Sequence, residues 1–475
     1  MTHGFRRVLV ANRGEIAARV IGTCTRLGIE TVLAASDADL GSVPARLAGK
    51  VIRVGPAPAS ASYLSVEAIA GAAIAARADA VHPGYGFLSE NARLARALAA
   101  AGITFIGPAP RTLDLTGDKL AAREQAVAAG LPVLPGEHVI PEDLASDAAA
   151  TGLARRVGLP ALVKAAGGGG GRGLRVVRDP AELSQAVAVA SAEAEAAFGD
   201  ARVYLERYVS PARHVEVQIL GDGERVIHLG DRDCSVQRRY QKLIEEAPAP
   251  GLPEALRARL HRAAVTLGRH LRYRGAGTVE FLLDVARGEF YFLEVNARIQ
   301  VEHPVTEAVT GHDIVVEQIW IAEGRPLRLA QDDVRLSGHA IECRLNAEDP
   351  RRGFLPSPGT VTAATFPAGP GIRVDTHIQA GSAVPPHYDS LLAKVITHGG
   401  DRWQALLAMR GALARCSVTG VTTNLALQQA LIDDPGFRRG AVDTGFLEAR
   451  MNGAGTSGFV PGGGTAGPGR GADRG

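Results

Sequence analysis

Cysteine is scarce in this sequence, with four residues among 475. Cys24, Cys234, Cys343 and Cys416 lie far apart and form no Cys-x-x-Cys pair. This spacing argues against a disulfide framework and against a zinc site, and it is typical of reduced, mostly buried thiols. Aromatic residues make up only 5% of the chain. We therefore expect cores built mainly from alanine, valine and leucine.

Strong net charge and long apolar segments are also absent. A formal net charge of +2 gives no reason to expect binding to nucleic acid or to a membrane surface. No apolar run approaches the roughly 20 residues that a membrane-spanning helix needs. The chain enters a predicted strand at Phe5, which leaves no room for a signal peptide. These features predict a cytoplasmic protein.

The length of the chain predicts about three domains, because 475 residues exceed what one hydrophobic core accommodates. We place an N-terminal domain at 1–117 and a central domain at 118–335, with a subdomain at about 133–205. An α+β C-terminal domain follows at 336–450. The remaining residues, 451–475, are rich in glycine without a hydrophobic pattern and are expected to be disordered.

Strand and helix patterns alternate in the predicted N-terminal domain. The strand-like segments are RRVLVAN, IETVLAAS, ADAVHPG and ITFIG. Such alternation indicates an α/β domain with a doubly wound parallel sheet and a ligand crevice at the carboxyl ends of its strands. The first turn, at Asn12–Glu15, lacks the G-x-G-x-x-G pattern of dinucleotide-binding proteins. NAD binding is therefore disfavoured, although Asp37 follows the second strand.

Five consecutive glycines begin at Gly167, between the strand patterns LPALVKAA and LRVVRD. They cannot form a P-loop, since that loop precedes a helix. A glycine-rich hairpin can instead close over phosphates because its N–H groups are unobstructed, and Lys164 adds a positive charge. The alternative is a flexible surface loop, which the flanking charges of Lys164 and Arg172 make less plausible.

The segment GTVEFLLDVARGEFYFLEVNARIQVEHPVTE is where we expect the chemistry. It alternates as a strand, turns back and forms a second strand, which places Glu280 opposite Glu294, with Asn296 on the same face. These oxygen atoms need a cation between them, and oxygen ligands suit Mg²⁺ or Mn²⁺ rather than Zn²⁺. The alternative is the solvated face of an amphipathic hairpin. Against it, Leu282 and Phe292 are predicted to share the face with the acids.

A second charged region precedes this hairpin. Its positive residues are Arg232, Arg238, Arg239 and Lys242, and they lie beside Glu245 and Glu246. The region is interpreted either as a solvated charged loop or as an anion-binding wall, and the sequence leaves both interpretations open.

Short motifs along residues 5–450 resemble, in order, those of the biotin carboxylases, which are ATP-grasp enzymes. The similar segments are ANRGEIAARVI, HPGYGFLSEN, GDK, KAAGGGGGRG, RDCSVQRR-x-QKLIEEAPAP, LEVNARIQVEHPVTE, GHAIECRLNAEDP, FLPSPGT and HYDSLLAK. The resemblance implies an ATP-grasp central domain with the glycine-rich segment as its lid. It also implies a reaction in which bicarbonate attacks the γ-phosphate of ATP. The resulting carboxyphosphate yields CO₂, which carboxylates N1 of biotin.

The resemblance further implies roles for individual residues. The ligands of Mg²⁺ or Mn²⁺, with two ions expected, are Glu280, Glu294 and Asn296. The ATP-binding residues are Lys119, Lys164, Gly170, Gly171, Glu206, Arg207, Tyr208, Val209 and His214. The bicarbonate-binding residues are Lys242, Arg298, Gln300, Val301 and Glu302. Glu302 is the expected base, provided that the chain bends after Asn296. Arg298 would hold carboxyphosphate, and Arg344 would stabilise the biotin enolate.

Some positions depart from the family pattern. Position 240 is usually histidine in this family, whereas this chain has Tyr240. Tyrosine retains a ring and a polar tip but cannot become a cation, so we do not assign that nucleotide contact here. Arg207 and Val209 also differ from the residues most common at their positions.

No Met-Lys-Met sequence is present, because the methionines are Met1, Met409 and Met451 alone. The biotin carrier is therefore expected to be a separate protein, or else the Gly-rich tail is the stub of a linker to it. The resemblance implies a carboxyltransferase partner in an acyl-CoA carboxylase, with acetyl-CoA as the expected acceptor. The resemblance implies a homodimer. Three rival functions are a ligase that makes carbamoyl phosphate, a dinucleotide-binding oxidoreductase and a non-catalytic scaffold. The segments QVEHPVTE and ECRLNAEDP disfavour the first of these.

Overall fold

The structure is a computed structural model that describes residues 4–144, 146–166 and 174–454. The predicted lid glycines Gly170 and Gly171 lie outside the described residues, as does the tail from 455 onwards. The last helix continues to Ala454, which is four residues into the segment predicted to be disordered. Among the described residues, no helix is both long enough and apolar enough to cross a membrane.

Parallel strands and flanking helices form the N-terminal domain. The strands are β1 (Arg7–Val10), β2 (Glu30–Ser36), β3 (Lys50–Gly55), β4 (Ala80–His82) and β5 (Thr104–Phe105). The helices are α1 (Gly14–Arg26), α2 (Val43–Leu47), α3 (Val66–Ala76), α4 (Ala92–Ala100) and α5 (Pro110–Gly117). The sheet order is β3-β2-β1-β4-β5. Val8 packs toward α1 while Leu9 packs toward α3, so helices cover both faces and the doubly wound prediction is confirmed. The short, partly buried β3 was not predicted.

The central domain begins with α6 (Lys119–Ala128) and a small four-stranded subdomain. The subdomain contains β6 (Gly136–Val139), α7 (Asp147–Val157), β7 (Ala161–Ala165), β8 (Arg175–Val177), α8 (Leu183–Phe198) and β9 (Val203–Arg207). Its antiparallel sheet has the order β6-β9-β7-β8. The glycine run therefore connects β7 to β8, two adjacent antiparallel strands, as the sequence predicted.

A sheet of eight strands then runs through the central and C-terminal domains, in the order β14-β13-β10-β11-β12-β15-β22-β20. Its strands are β10 (Ala212–Asp222), β11 (Val226–Arg238), β12 (Gln241–Ala247), β13 (Arg274–Asp284), β14 (Glu289–Asn296), β15 (His339–Asn346), β20 (Ile372–Thr376) and β22 (Leu391–Gly399). β12 pairs with β15 through Ile244 and Cys343. The predicted boundary at 335/336 therefore separates two sequence segments that share one sheet.

Helices cover both faces of the central part of this sheet. α9 (Glu254–His270) lies on one face, and α10 (His303–Thr310) and α11 (Ile314–Ala322) lie on the other. Leu260 and Leu267 of α9 pack on Val215 and Val217 of β10. Because side chains alternate along a strand, Glu216 faces the opposite side of the sheet. That opposite face carries the polar site described below.

Short strands and helices complete the C-terminal domain. The strands are β16 (Glu348–Asp349), β17 (Leu355–Pro356), β18 (Gly359–Thr360), β19 (Ala363–Thr365), β21 (Ala383–Val384) and β23 (Ser417–Thr419). The helices are α12 (Arg402–Ala414), α13 (Leu425–Asp433), α14 (Pro435–Arg439) and α15 (Phe446–Ala454). Met409 and Leu413 of α12 pack against Val395 of β22, in a core that also contains Val236 of β11 and Ile244 of β12.

Candidate active site

The hairpin of β13 and β14 brings the two predicted acids together. Glu280 lies opposite Glu294, and Thr278 lies opposite Asn296, which confirms the predicted register at this point. Both carboxyl side chains are buried or nearly buried in the sheet face that α9 does not cover. Two acids and an amide are thus held within one small region by backbone pairing.

A β-bulge in β14 corrects the prediction for the hydrophobic neighbours. The register shifts between Glu280 and Phe281, which leaves Leu293 as an extra residue. Phe292 therefore pairs with Phe281 and packs in the core on the side of the sheet covered by α6 and α9, rather than sharing the face with the acids. Leu293 lines the cavity instead, together with Leu282.

A cavity of about 810 Å³ lies over this face of the sheet. We distinguish two sides of it by their residues. The lid side is lined by Lys119, Lys164, Glu206, Arg207, Tyr208 and Glu294. The junction side is lined by Tyr85, Lys242, Arg298, Glu302 and Arg344, which come from all three domains. The remaining predicted residues His214, Val209, Glu280, Asn296, Gln300 and Val301 also line the cavity.

Charged groups on the lid side are buried with few counter-charges. Lys164 forms an ion pair with Glu206, which outweighs burial and raises the pKa of the lysine. Burial lowers the pKa of Lys119. Burial, with Glu280 nearby, raises the pKa of Glu294. Burial therefore disfavours the charged form of both Lys119 and Glu294.

The predicted adenine strand lies at the outer part of the lid side. Arg207 ends β9, and its Nη2 donates to the Tyr291 hydroxyl at 3.0 Å. The backbone N–H of Tyr208 donates to the carbonyl of Pro160 at 2.8 Å, which fixes the strand end. Tyr240 lines the same cavity from the turn between β11 and β12 and is half exposed. The cavity thus has two tyrosine rings and an arginine at this end.

Lys242 connects three carboxylates on the junction side. Its Nζ lies 2.5 Å from Glu216, 2.8 Å from Glu280 and 2.6 Å from Glu302. The second carboxylate oxygen of Glu302 accepts a hydrogen bond from Arg344 Nη2 at 2.9 Å. Burial disfavours charge on Glu302, but Lys242 and Arg344 outweigh it and lower the pKa of this carboxyl. Glu302 is therefore ionised at neutral pH and can accept a proton.

The chain bends between β14 and α10, as the predicted base requires. Glu90 accepts from the N–H of Ala297 at 2.7 Å and from Arg298 Nε at 2.9 Å. At the far end of the bend, Lys394 Nζ donates to the carbonyl of Val301 at 2.9 Å. Lys394 is completely buried. The bend is thus anchored by the N-terminal domain at one end and the C-terminal domain at the other.

The predicted metal ligands match the chemistry of a hard divalent cation, since they offer only oxygen atoms. Burial and the neighbouring Glu280 raise the pKa of Glu294, and the nearby Lys119 and Lys164 compensate its charge only in part. Two of the three ligands have protein partners in this structure. Glu280 accepts from Lys242 and lies 2.8 Å from His214 Nε2, and Asn296 Oδ1 accepts from Arg298 Nη2 at 2.7 Å. A bound ion at Glu280 and Asn296 would replace these partners.

A nearby group of potential ligand atoms comes from His214, Glu216 and Glu280. Glu216 already accepts from Arg232 Nε at 2.6 Å and from Lys242 at 2.5 Å. Because its oxygens are neutralised by two cations, we interpret this group as a hydrogen-bonded cluster rather than a metal site. The acids at Glu280 and Glu294 fit a cation better.

Three residues that the structure brings to the site had no role predicted from the sequence. Glu90 holds the start of the bend, and Glu216 balances Lys242. Glu245 forms an ion pair with Arg344, and its burial raises its pKa to about 7. The motif HPGYGFLSEN contains Glu90, and alternation along β10 places Glu216 beside Glu280. The sequence therefore contained a signal for Glu90 and one for Glu216, but it did not indicate which residues these two carboxylates contact.

Three family models match most of the chain, between residues 4 and 449. The family described as biotin carboxylase, N-terminal domain, matches residues 4–113. The family described as carbamoyl-phosphate synthase L chain, ATP binding domain, matches residues 118–330. The biotin carboxylase C-terminal domain matches residues 342–449. The three matches follow the domain order of the fold.

Individual proteins agree with these matches. A biotin carboxylase of Pseudomonas aeruginosa is 50% identical over 94% of this chain and 98% of its own length. The biotin carboxylase domain dimer of Hydrogenobacter thermophilus 2-oxoglutarate carboxylase, solved with MgADP, ADP and bicarbonate, has a TM-score of 0.89 at 44% identity and covers 95% of this chain and 98% of its own. A Campylobacter jejuni biotin carboxylase complex also has a TM-score of 0.89, at 43% identity, and covers 94% and 98%. On this evidence of sequence, fold and domain order, the chain belongs to the biotin carboxylases, a family of ATP-grasp carbon–nitrogen ligases.

Proposed function

We propose that this chain uses ATP and bicarbonate to carboxylate biotin on a separate carrier protein, as the first half-reaction of an acyl-CoA carboxylase. The observation that carries the proposal is the position of Glu302. Its ionised carboxylate lies between Lys242 and Arg344, where the ATP-binding domain meets the other two domains. A base, Glu302, and two cations, Lys242 and Arg344, thus meet in one cavity.

On the lid side, Lys119 and Lys164 bind the phosphates of ATP, and Glu206 to Val209 contact the adenine. Glu280, Glu294 and Asn296 would hold the divalent ions, which supply charge neutralisation to the phosphates when bound. His214 positions Glu280 through their 2.8 Å contact. Tyr240 borders the nucleotide without a cationic charge. The bound nucleotide therefore places negative charge beside Lys119, whose own positive charge is disfavoured by burial.

On the junction side, Lys242, Arg298, Gln300 and Val301 bind bicarbonate, and Glu302 accepts its proton. The bicarbonate oxygen then bonds to the γ-phosphorus while the bond to ADP breaks. Arg298 retains the resulting carboxyphosphate, which dissociates into CO₂ and phosphate. Arg344 stabilises the biotin enolate that forms when N1 gives its proton to the released phosphate, and N1 then bonds to CO₂. The pairing of Arg344 with Glu302 keeps this cation at the point where both reactions meet.

Two further features of the proposal concern the assembly. The Hydrogenobacter thermophilus domain is described as a dimer, which supports a homodimer for this chain. All four cysteines are free and buried, which fits the reducing cytoplasm. The relatives include both a biotin carboxylase and a 2-oxoglutarate carboxylase domain, so the final acceptor depends on a carboxyltransferase rather than on this chain.

The proposal is tested by measuring ATP cleavage and carboxybiotin formation by the purified chain. We expect ATP cleavage that depends on bicarbonate and is stimulated by free biotin, with carboxybiotin as a product. Replacing biotin by ammonia distinguishes a ligase that makes carbamoyl phosphate. ATP cleavage of equal rate with and without biotin, and no carboxybiotin, would refute the proposed function.

A further inference from the structure

Two hairpin tips lie side by side at the mouth of the cavity. One is the turn between β11 and β12, and the other is the turn between β16 and β17. Together they present six residues that we call the arginine rim: Arg238, Arg239, Tyr240, Arg351, Arg352 and Leu355. Arg239 and Tyr240 also line the cavity, so the rim is continuous with the site.

Contacts between the tips fix them to each other. Arg238 Nη2 donates to the carbonyl of Gly353 at 3.0 Å. The same guanidinium lies 4.2 Å from the centroid of the Phe354 ring. Phe354 is buried, whereas Arg351, Arg352 and Leu355 around it are exposed. The rim is therefore one surface built on a packed centre.

The arginines of the rim have little internal compensation. Burial and the neighbouring Arg239 both lower the pKa of Arg238. Within the part of the chain that the structure describes, no carboxylate forms an ion pair with Arg238, Arg239 or Arg352. Asp349 lies 3.6 Å from Arg351 Nε. The other nearby acids, Glu348 and Glu448, line the cavity itself. The outer surface thus carries excess positive charge.

Exposed apolar groups accompany this charge. Tyr240 is 50% exposed and Leu355 is 51% exposed. Arginine and tyrosine are the residues that most often dominate protein–protein interfaces. Because biotin reaches the cavity on a protein, that protein must approach its mouth. We propose that the arginine rim docks an acidic surface of the biotin-carrying protein, beside its biotinyl-lysine. This inference rests on the proposed function.

Two synthetic peptides test the rim directly. Each contains one biotinyl-lysine, flanked by glutamates in one peptide and by lysines in the other. We expect the parent chain to have the higher kcat/KM for the acidic peptide, with a preference that declines as salt rises. The double substitution Arg351→Glu with Arg352→Glu should lower kcat/KM for the acidic peptide about tenfold. Neither residue lines the cavity, so carboxylation of free biotin should not change.

A matched control reverses two exposed arginines on α9, Arg262→Glu with Arg269→Glu, which lie on the helix covering the other face of the sheet. This control should keep the parent's preference for the acidic peptide. Equal kcat/KM of parent and rim variant for that peptide would overturn the docking proposal. If the parent carboxylates no biotin at all, the proposed function fails instead. Fluorescence anisotropy of the labelled acidic peptide then tests the docking proposal separately. The proposal predicts that the rim variant binds this peptide more weakly than the parent and the α9 control do.

Discussion

The two sides of the cavity neutralise their buried charges differently. On the junction side, burial opposes charge, but Glu302 meets Lys242 and Arg344, and Arg344 meets Glu245 and Glu302. The pKa of Glu302 is lowered and that of Arg344 is raised as a result. On the lid side, burial dominates at Lys119 and Glu294, whose pKa values shift toward neutrality. Lys164 and Glu206 are the exception, because they pair with each other.

This difference indicates which side needs its ligand. On the junction side Lys242 and Arg344 already hold Glu302 ionised, which is the preorganised arrangement that the proposed reaction requires. On the lid side, a polyphosphate and a cation would stabilise the charged forms of Lys119 and Glu294, which burial disfavours. A site that cleaves ATP only when all reactants are present is consistent with this arrangement.

The largest expected effect tests the junction side. Arg344→Ala should reduce biotin carboxylation by about 10³-fold, because it removes the cation placed at the developing enolate. ATP cleavage should fall much less, since Glu302 keeps Lys242 as a cationic partner at 2.6 Å when Arg344 is removed. The measurement is the rate of carboxybiotin formation relative to ADP release. The exposed Arg415→Ala serves as control. Equal losses in the two rates would contradict the enolate role.

The next effect compares one lysine from each side. Lys242→Met should destabilise the fold by about 3–5 kcal/mol, because it leaves three buried carboxylates without their shared cation. Lys119→Met should cost under about 1 kcal/mol, since burial already disfavours its charge. Urea denaturation of both variants without ligands provides the measurement.

Equal destabilisation by the two lysine substitutions would remove the distinction between the sides.

The pH dependence offers a second check. Lys242 lowers the pKa of Glu302, so its removal should raise that pKa and protonate the base at a higher pH. The acid limb of ATP cleavage in Lys242→Met should therefore move to higher pH. An unmoved limb would show that Glu302 is not the base.

The smallest expected effect concerns the divalent ions. Glu294→Gln should raise the Mg²⁺ concentration for half-maximal ATP cleavage by about 10- to 100-fold, because the amide keeps the shape but loses the charge. Glu289→Gln, at the exposed start of β14, is the matched control and should leave the Mg²⁺ dependence unchanged. Equal Mg²⁺ dependence of Glu294→Gln and the parent would refute the metal assignment.

Much of the site could be predicted because its residues belong to local patterns. The pairing of Glu280 with Glu294 follows from strand alternation around a short turn. The bulge at Leu293 could not be predicted from that pattern, because the extra residue lets Phe292 pack in the core on the side covered by α6 and α9. The partners of Lys242 were equally hidden, since Glu216, Glu280 and Glu302 come from separate strands and a bend.

The hairpin from Gly277 to Asn296 and the site around it show what the sequence determined and what the tertiary structure decided. The sequence by itself determined the α/β order, the glycine run between two strands and the opposed acids, because each depends on residues close along the chain. Only the tertiary structure decided that β12 pairs with β15 across the domain boundary. That pairing brings Arg344 to Glu302, and the long-range order of the strands in the sheet decides which distant charges become neighbours.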